Sequence, residues 1–169
     1  LYNWYKYLYK KCVNKPGELK AKVSELTAGK SNDIDKVKSI FYWVQDNIRY
    51  IAFEDGLAGF IPAAAQDVFK SKYGDCKGMA NLMTEMLKQA GLEAYMTWIG
   101  PRHIPYDYTL PSLAVDNHCI STVILGGKEY FLDGTEKYVP FGEYAWRIQG
   151  KEVLIGKGEK YEVKKVPVQ

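Results

Sequence analysis

Three residues of this chain form a set that can carry out nucleophilic chemistry at a carbonyl carbon. Cys76 lies in the stretch SKYGDCKGMANLM, at the point where a helical pattern begins. A free thiol is mostly protonated at neutral pH, and a helix N-terminus or a nearby imidazolium lowers its pKa. Downstream, His118 is a candidate proton partner and Asp133 a candidate to orient the imidazole. The alternative for Cys76 is a small buried core residue, which is the usual role of a free cysteine.

A β-hairpin is needed to bring the histidine and the aspartate together. The stretches HCISTVIL and KEYFLDG flank Gly126-Gly127 and have the pattern of two strands joined by a tight turn. A two-residue turn places His118 diagonal to Asp133 on one face, with their backbones ~7–8 Å apart. A three-residue turn would place them on opposite faces. Cys119 points away from His118, so we expect it to be a packing residue, as we do Cys12.

The other elements are predicted to hold this set in place. Apolar residues recur at helical spacing after Asp75, a suitable N-cap, and the helix is expected to stop at Gly91. A second amphipathic helix is predicted in SNDIDKVKSIFYWVQDNIRYI, before a long loop over residues 52–71. Further strands are predicted in LEAYMTWI, KEVLIG and KYEVKKV, with a proline-rich loop over residues 100–116. The sequence therefore predicts an α+β fold, with helices first and an antiparallel sheet after them.

Composition narrows the class of protein. The chain has 169 residues, 47% of them hydrophobic, and a net charge of +3 with scattered lysines, which does not indicate nucleic-acid binding. No apolar run approaches the length of a membrane span. Three widely spaced cysteines do not make a disulfide framework. Because the chain begins at Leu1, we expect it to be part of a larger protein, with a docking or linker helix over residues 1–15 and a catalytic domain over residues 16–169.

The stretches around the three residues resemble signature blocks of the transglutaminase-like superfamily, which has a papain-like cysteine fold. The blocks are YGDCKGMANLM, Asn117-His118 and YFLDGT, and the flanking stretches KSIFYWVQDNIRY and GFIPAAAQDVFKSKYGDC also resemble bacterial members. The resemblance covers roughly residues 16–150. It implies an N-terminal helical region, a central nucleophile helix packed on an antiparallel sheet, and a Cys-His-Asp triad at Cys76, His118 and Asp133. It also implies a periplasmic or extracellular protein of the bacterial envelope.

The resemblance further implies an oxyanion hole, formed by the backbone N–H of Cys76 and one upstream side chain. Gln66 is the preferred candidate for that side chain, with Tyr73 and Trp43 as alternatives. Four aromatic residues are candidates to line the substrate cleft: Tyr73, Trp98, Tyr106 and Tyr108.

Two classes of function follow from these residues. As an enzyme, the chain would form a thioester on Cys76 from a peptide or carboxamide, and then hydrolyse it or transfer it to a lysine amine, as a peptidase or a transglutaminase respectively. Hydrolysis is the preferred outcome, by analogy with bacterial relatives. As a binding module, the chain would hold a peptide or glycan in an aromatic groove, with Trp146 as a further wall. No cofactor is expected, and metal is not expected because the cysteine and histidine spacing of zinc sites does not occur.

Overall fold

The computed structural model describes residues 1–52 and 55–169, so Phe53 and Glu54 of the predicted 52–71 loop lie outside the described residues. The α-helices are α1 (Tyr2–Tyr9), α2 (Lys20–Thr27), α3 (Asp33–Asn47), α4 (Ala65–Ser71) and α5 (Cys76–Gln89). Short 3-10 turns cover Pro16–Leu19 and Gly56–Gly59. The strands are β1 (Arg49–Tyr50), β2 (Tyr73–Gly74), β3 (Glu93–Ile99), β4 (His118–Leu125), β5 (Lys128–Leu132), β6 (Glu152–Lys157) and β7 (Lys160–Lys165). The predicted α+β class is confirmed.

Five strands form one antiparallel sheet in the order β5-β4-β3-β6-β7. The turn between β4 and β5 has two residues, since Leu125 pairs directly with Lys128. Gly126 and Gly127 both have positive φ, at 57° and 78°, which is the backbone that a tight hairpin turn requires. The register on which the His118–Asp133 geometry depended is therefore confirmed.

Helix α5 lies at the centre of the molecule. Asp75 caps its N-terminus, because the Asp75 Oδ1 accepts a hydrogen bond from the N–H of Gly78 at 2.8 Å. Its apolar side packs with α3, α4 and the sheet in a core whose fully buried members include Met79, Met83 and Met86. A second side of α5 lies along β4, where the Thr84 and Ser121 hydroxyls are 2.8 Å apart. This double packing fixes the first turn of α5 against the start of β4.

The N-terminal helix α1 packs against the domain. Tyr2, Tyr5 and Leu8 are buried, and the first two share a core cluster with Cys76, which also contains Trp98. Asn14, which follows α1, bonds to the Asn81 side chain of α5 and to the backbone N–H of Ala65. The division of the chain into residues 1–15 and 16–169 stays a prediction, although α1 contributes to the same core as α5.

The described part of the chain contains no helix that is both long and apolar enough to cross a membrane.

Candidate active site

Cys76 is the first residue of α5, and it lies at the bottom of a cavity of about 380 Å³. As the first helical residue, it has a backbone N–H without an acceptor inside the helix. The cavity is also lined by His118 and Cys119 from β4 and by Tyr5 from α1. A thiol at a helix start, facing a cavity of ligand size, is placed where a nucleophile can meet a substrate.

His118 and Asp133 form a buried hydrogen-bonded pair. The Nε2 of His118 lies 2.7 Å from the Oδ2 of Asp133, and both side chains are 5% exposed. Because Nε2 faces the carboxylate, Nδ1 is the ring nitrogen left for Cys76. The pair is the one that the two-residue hairpin predicts, with Asp133 directly after the last residue of β5.

The electrostatics of the three residues favour a thiolate–imidazolium pair. Hydrogen bonding from Cys119 lowers the pKa of Cys76, burial opposes this, and His118 lowers the pKa further. Burial would lower the pKa of His118, but the Asp133 carboxylate and Cys76 together raise it to about 9. Burial would raise the pKa of Asp133, whereas His118, Thr135 and Arg147 hold it below its usual value. The arrangement therefore keeps charge on all three side chains near neutral pH.

Cys119 lies beside Cys76, which the alternation of the strand alone did not indicate. Side chains alternate along β4, so Cys119 lies on the face of the sheet that is turned toward α5, and His118 on the other face. Cys119 shares a buried cluster with Cys76 and Ala80. Its hydrogen bond to Cys76, followed by burial, raises its pKa well above the ordinary value, so it stays a neutral donor. The expectation that Cys119 packs in the interior agrees with this burial, but its contact with Cys76 also influences the candidate nucleophile.

Asp133 is fixed by further groups. The N–H and hydroxyl of Thr135 donate to its Oδ1 at 3.0 and 2.7 Å, and Arg147 donates to its Oδ2 at 3.2 Å. Arg147 also bonds to the Thr135 hydroxyl at 3.0 Å and pairs with Glu136. These bonds leave the carboxylate little freedom to turn away from His118.

The other predicted site residues lie in three different places. Trp98 lines the cavity beside Cys76, with its ring stacked on Tyr5 at 4.8 Å between centroids. Tyr108 lies behind that wall, where its hydroxyl donates to the Trp98 carbonyl at 2.9 Å and to Asp116 at 2.8 Å. Tyr106 is exposed on the same loop, and its carbonyl accepts a hydrogen bond from Lys151.

The three side chains considered for the oxyanion hole are not among the residues that line the Cys76 cavity in the described part of the chain. Gln66 is buried, with its amide bonded to the Val13 carbonyl at 3.0 Å and to the Lys15 N–H at 2.9 Å. Its amide thus holds the segment after α1 and is not among the described groups that line the Cys76 cavity. Tyr73 lines a separate groove beside α4, and Trp43 packs against Phe69. We therefore assign only the backbone N–H of Cys76 to a possible oxyanion hole.

Among residues 1–52 and 55–169, no group of three or more histidine, cysteine, aspartate or glutamate side chains is arranged to hold a metal ion.

Comparison with known families places the chain in one of them. The family model of the transglutaminase-like superfamily matches residues 20–132, which is more than half of the chain. The chain belongs to the transglutaminase-like superfamily. A search among curated proteins finds no similar sequence.

Three solved structures share the fold of this chain. One is a putative protease from Parabacteroides distasonis ATCC 8503, with a TM-score of 0.69 at 19% identity, over 91% of this chain and 28% of that chain. A putative cysteine protease from Cytophaga hutchinsonii gives a TM-score of 0.54 at 21% identity, over 72% of this chain and 38% of that one. A structure described as a TGase gives a TM-score of 0.52 at 17% identity, over 86% and 35%. The chain thus spans well under half the length of these relatives, and at such identities the likeness shows the fold.

Four residues of the site were not found from the sequence. Thr135 had a local signal, since Asp-Gly-Thr is a typical Asx-turn sequence in which the carboxylate accepts from the residue two positions on. Arg147, Tyr5 and Asp116 had no such signal. Arg147 and Tyr5 reach the site through tertiary packing, from a later loop and from α1 respectively, and Asp116 lies in the loop just before β4.

Proposed function

We propose that this domain catalyses cysteine-dependent acyl transfer from peptide or carboxamide substrates, with hydrolysis as the usual outcome. The observation that carries the proposal is the buried His118–Asp133 hydrogen bond at a cavity that Cys76 and His118 line together. The membership of the transglutaminase-like superfamily supports it, since relatives of the same fold are described as a putative cysteine protease and a TGase.

The proposed reaction begins with attack of the Cys76 thiolate on the substrate carbonyl carbon. A carbon–sulfur bond forms, and the developing oxyanion accepts a hydrogen bond from the backbone N–H of Cys76. His118 then gives a proton to the leaving nitrogen, so the carbon–nitrogen bond breaks and a thioester remains. Water attacks the thioester as His118 removes its proton, which releases the acid and restores the thiolate. Throughout, Asp133 holds the imidazole by its Nε2 and stabilises its charged form.

The alternative outcome is transfer of the acyl group to an amine, which is the reaction of a transglutaminase. Both outcomes share every step up to the thioester, so they differ only in whether water or an amine reaches it. Hydrolysis is preferred by analogy, since two solved structures with the same fold are described as a putative protease and a putative cysteine protease.

The direct test is an acid-quenched mass-spectrometric screen of peptides and glutamine-containing peptides, with and without an added primary amine. Wild type is compared with Cys76→Ala, and Cys12→Ala is the matched control, because Cys12 is a half-buried thiol near the chain start whose pKa burial raises to about 11. We expect a mass increase on Cys76 and product formation in wild type and Cys12→Ala only.

The binding-module alternative makes the opposite expectation. Products that are identical for wild type and Cys76→Ala, together with slow iodoacetamide labelling of Cys76 at pH 6–7, would contradict the catalytic proposal. Fast labelling of Cys76 at these pH values, when Cys12 labels slowly, would support it, because only a thiol with a lowered pKa is ionised there.

A further inference from the structure

Asp116 is a carboxylate that lines the same cavity as Cys76 and has no part in the proposed triad. Asp116 lines the cavity two positions before His118, and it is 9% exposed. The Tyr5 hydroxyl donates to its Oδ1 at 2.6 Å, and the Tyr108 hydroxyl donates to its Oδ2 at 2.8 Å. Burial raises the pKa of Asp116, and the two hydroxyl bonds oppose that rise by stabilising the charged form.

Among the residues that the structure describes, Asp116 has no counter-ion, unlike the other buried acids near Cys76. Asp75 pairs with Lys77, and Asp133 pairs with His118 and Arg147. In the described ranges 1–52 and 55–169, no lysine, arginine or histidine pairs with Asp116. Buried carboxylates are normally paired, because desolvation of a single charge is costly. Because burial raises its pKa, the Asp116 carboxylate would be stabilised in its charged form by a cationic ligand.

The walls around Asp116 are aromatic. The rings of Tyr5 and Trp98 are nearly parallel, at 6° between planes, and the side chains of Tyr50 and Phe60 also line the cavity. Aromatic faces attract cations, and most strongly where water is excluded. The cavity therefore offers an organic ammonium group both a carboxylate and aromatic side chains, beside the Asp75–Lys77 ion pair that also lines it.

We propose that Asp116, Tyr5 and Trp98 form a subsite that binds a primary ammonium group of the substrate beside Cys76. The ligand is a substrate only if the proposed function holds, so this inference deepens that function. A purely structural role is the competing explanation, since the two hydroxyl bonds also attach α1 and the 100–116 loop to the start of β4. Such a role predicts no saturable binding of an organic cation in the cavity, whereas an ammonium subsite requires it.

The test compares methanethiosulfonate reagents that differ only in their tails: 2-aminoethyl, which is cationic, and 2-hydroxyethyl, which is neutral. Each forms a mixed disulfide with the Cys76 thiolate and releases methanesulfinate. Loss of free Cys76 thiol is followed by peptide mass spectrometry at pH 7. We expect the cation-to-neutral rate ratio to fall about tenfold in Asp116→Asn, the order expected from one charge a few ångströms away. An unchanged ratio would overturn the proposal.

Asp107→Asn is the matched control, because Asp107 is an exposed carboxylate on the same loop and its side chain bonds locally to Thr109. We expect its ratio to equal that of wild type. The neutral reagent separates the two proposals: a slow neutral rate in every protein contradicts the activated nucleophile, whereas only the ratio reports on Asp116.

A measurement on wild type alone covers the case in which Asp116→Asn fails to fold. n-Butylammonium is expected to slow the neutral reagent at Cys76 with saturation, at concentrations where n-butanol has no effect. Equal effects of the two additives would refute the ammonium subsite.

The ammonium group can belong to the acyl donor or to the acyl acceptor, and a third experiment distinguishes them. Lysine-containing peptides and their N-acetyl-lysine counterparts are compared for thioester formation on Cys76, and monodansylcadaverine is used to measure amine incorporation. Dependence of thioester formation on both the free amine and Asp116 assigns the group to the donor. Asp116 dependence confined to cadaverine incorporation assigns it to the acceptor, and dependence in neither assay contradicts a substrate role.

Discussion

Replacement of Asp133 by Asn tests the electrostatic basis of the proposed site most directly. Asn has nearly the same shape and keeps an oxygen that can accept the hydrogen bond from the Nε2 of His118, but it removes the negative charge. The Arg147 guanidinium then stays near the imidazole, with Glu136 as its remaining carboxylate partner. Both changes disfavour the imidazolium form of His118.

The size of the effect follows from the pKa of His118. Its value of about 9, against an ordinary 6.5, is a rise of 9 − 6.5 = 2.5 units, and it is reached although burial acts in the opposite direction. That rise corresponds to a few kcal/mol in favour of the charged form, on the order of 1.4 kcal/mol for each pH unit. Asp133 is the larger of the two favourable influences, ahead of Cys76. We therefore expect the pKa of His118 to return close to its ordinary value in Asp133→Asn.

The sign of the change sets its effect on the nucleophile. In wild type His118 is almost fully charged at pH 7, because its pKa is raised to about 9. A histidine with a pKa near 6.5 would be only about one quarter charged at that pH. The Cys76 thiolate would then lose its charged partner, so its own pKa would rise. We expect the alkylation of Cys76 by iodoacetamide at pH 6–7 to slow by about tenfold or more.

The assay is NMR titration of the histidine ring protons, combined with the pH profile of Cys76 alkylation. The chain has two histidines, and His103→Gln assigns their signals. Glu136→Gln is the control, because Glu136 pairs with Arg147 as Asp133 does but is not bonded to His118. A His118 titration within about 0.5 unit of wild type in Asp133→Asn would refute the electrostatic reasoning, since that is well below the expected fall.

Three further predictions concern the surroundings of the site. Cys119→Ala should raise the apparent pKa of Cys76 in alkylation profiles, because it removes a hydrogen-bond donor to the Cys76 sulfur. Cys119→Ser keeps a donor and should bring the pKa of Cys76 part of the way back. Equal alkylation profiles for the two variants would contradict this. Arg147→Gln should lower kcat more than it changes KM, by roughly tenfold, because it loosens Asp133 without lining the cavity; an effect on KM alone would argue against it. Gly100→Ala should reduce the free energy of unfolding by about 1–3 kcal/mol in urea titrations, since its Cβ would overlap the Val115 carbonyl, while Gly17→Ala, in open space, should change it little.

The fold and the central geometry were accessible from sequence because they depend on local rules. Helical spacing and the Asp75 cap located the start of α5, and the glycine pair fixed the register that brings His118 to Asp133. Side chains alternate between the two faces of a strand, so each residue lies on one face or the other, and the length of the turn decides which. The His118–Asp133 contact therefore followed from a pattern of about fifteen residues.

The surrounding residues could not be found in this way, because their positions depend on packing between distant segments. Tyr5 is separated from Asp116 by 111 positions, and no local pattern indicates their contact. Gln66 had a suitable type and place in the sequence for an oxyanion donor, yet its amide holds the segment that follows α1. Alternation along β4 separated Cys119 from His118 but did not indicate that the first turn of α5 meets both of them.

The position of α1 and of the segment after β5 has a consequence for how the site forms during synthesis. A ribosome releases Tyr5 first and Cys76 much later, and both must wait for Asp133 and Arg147 before the carboxylate can be held against His118. A nascent or prematurely terminated chain that ends before residue 133 contains the thiol without the group that charges its partner. In such a chain we expect the Cys76 thiol to keep a higher pKa than in the folded domain, because Asp133 and Arg147 follow it in the sequence.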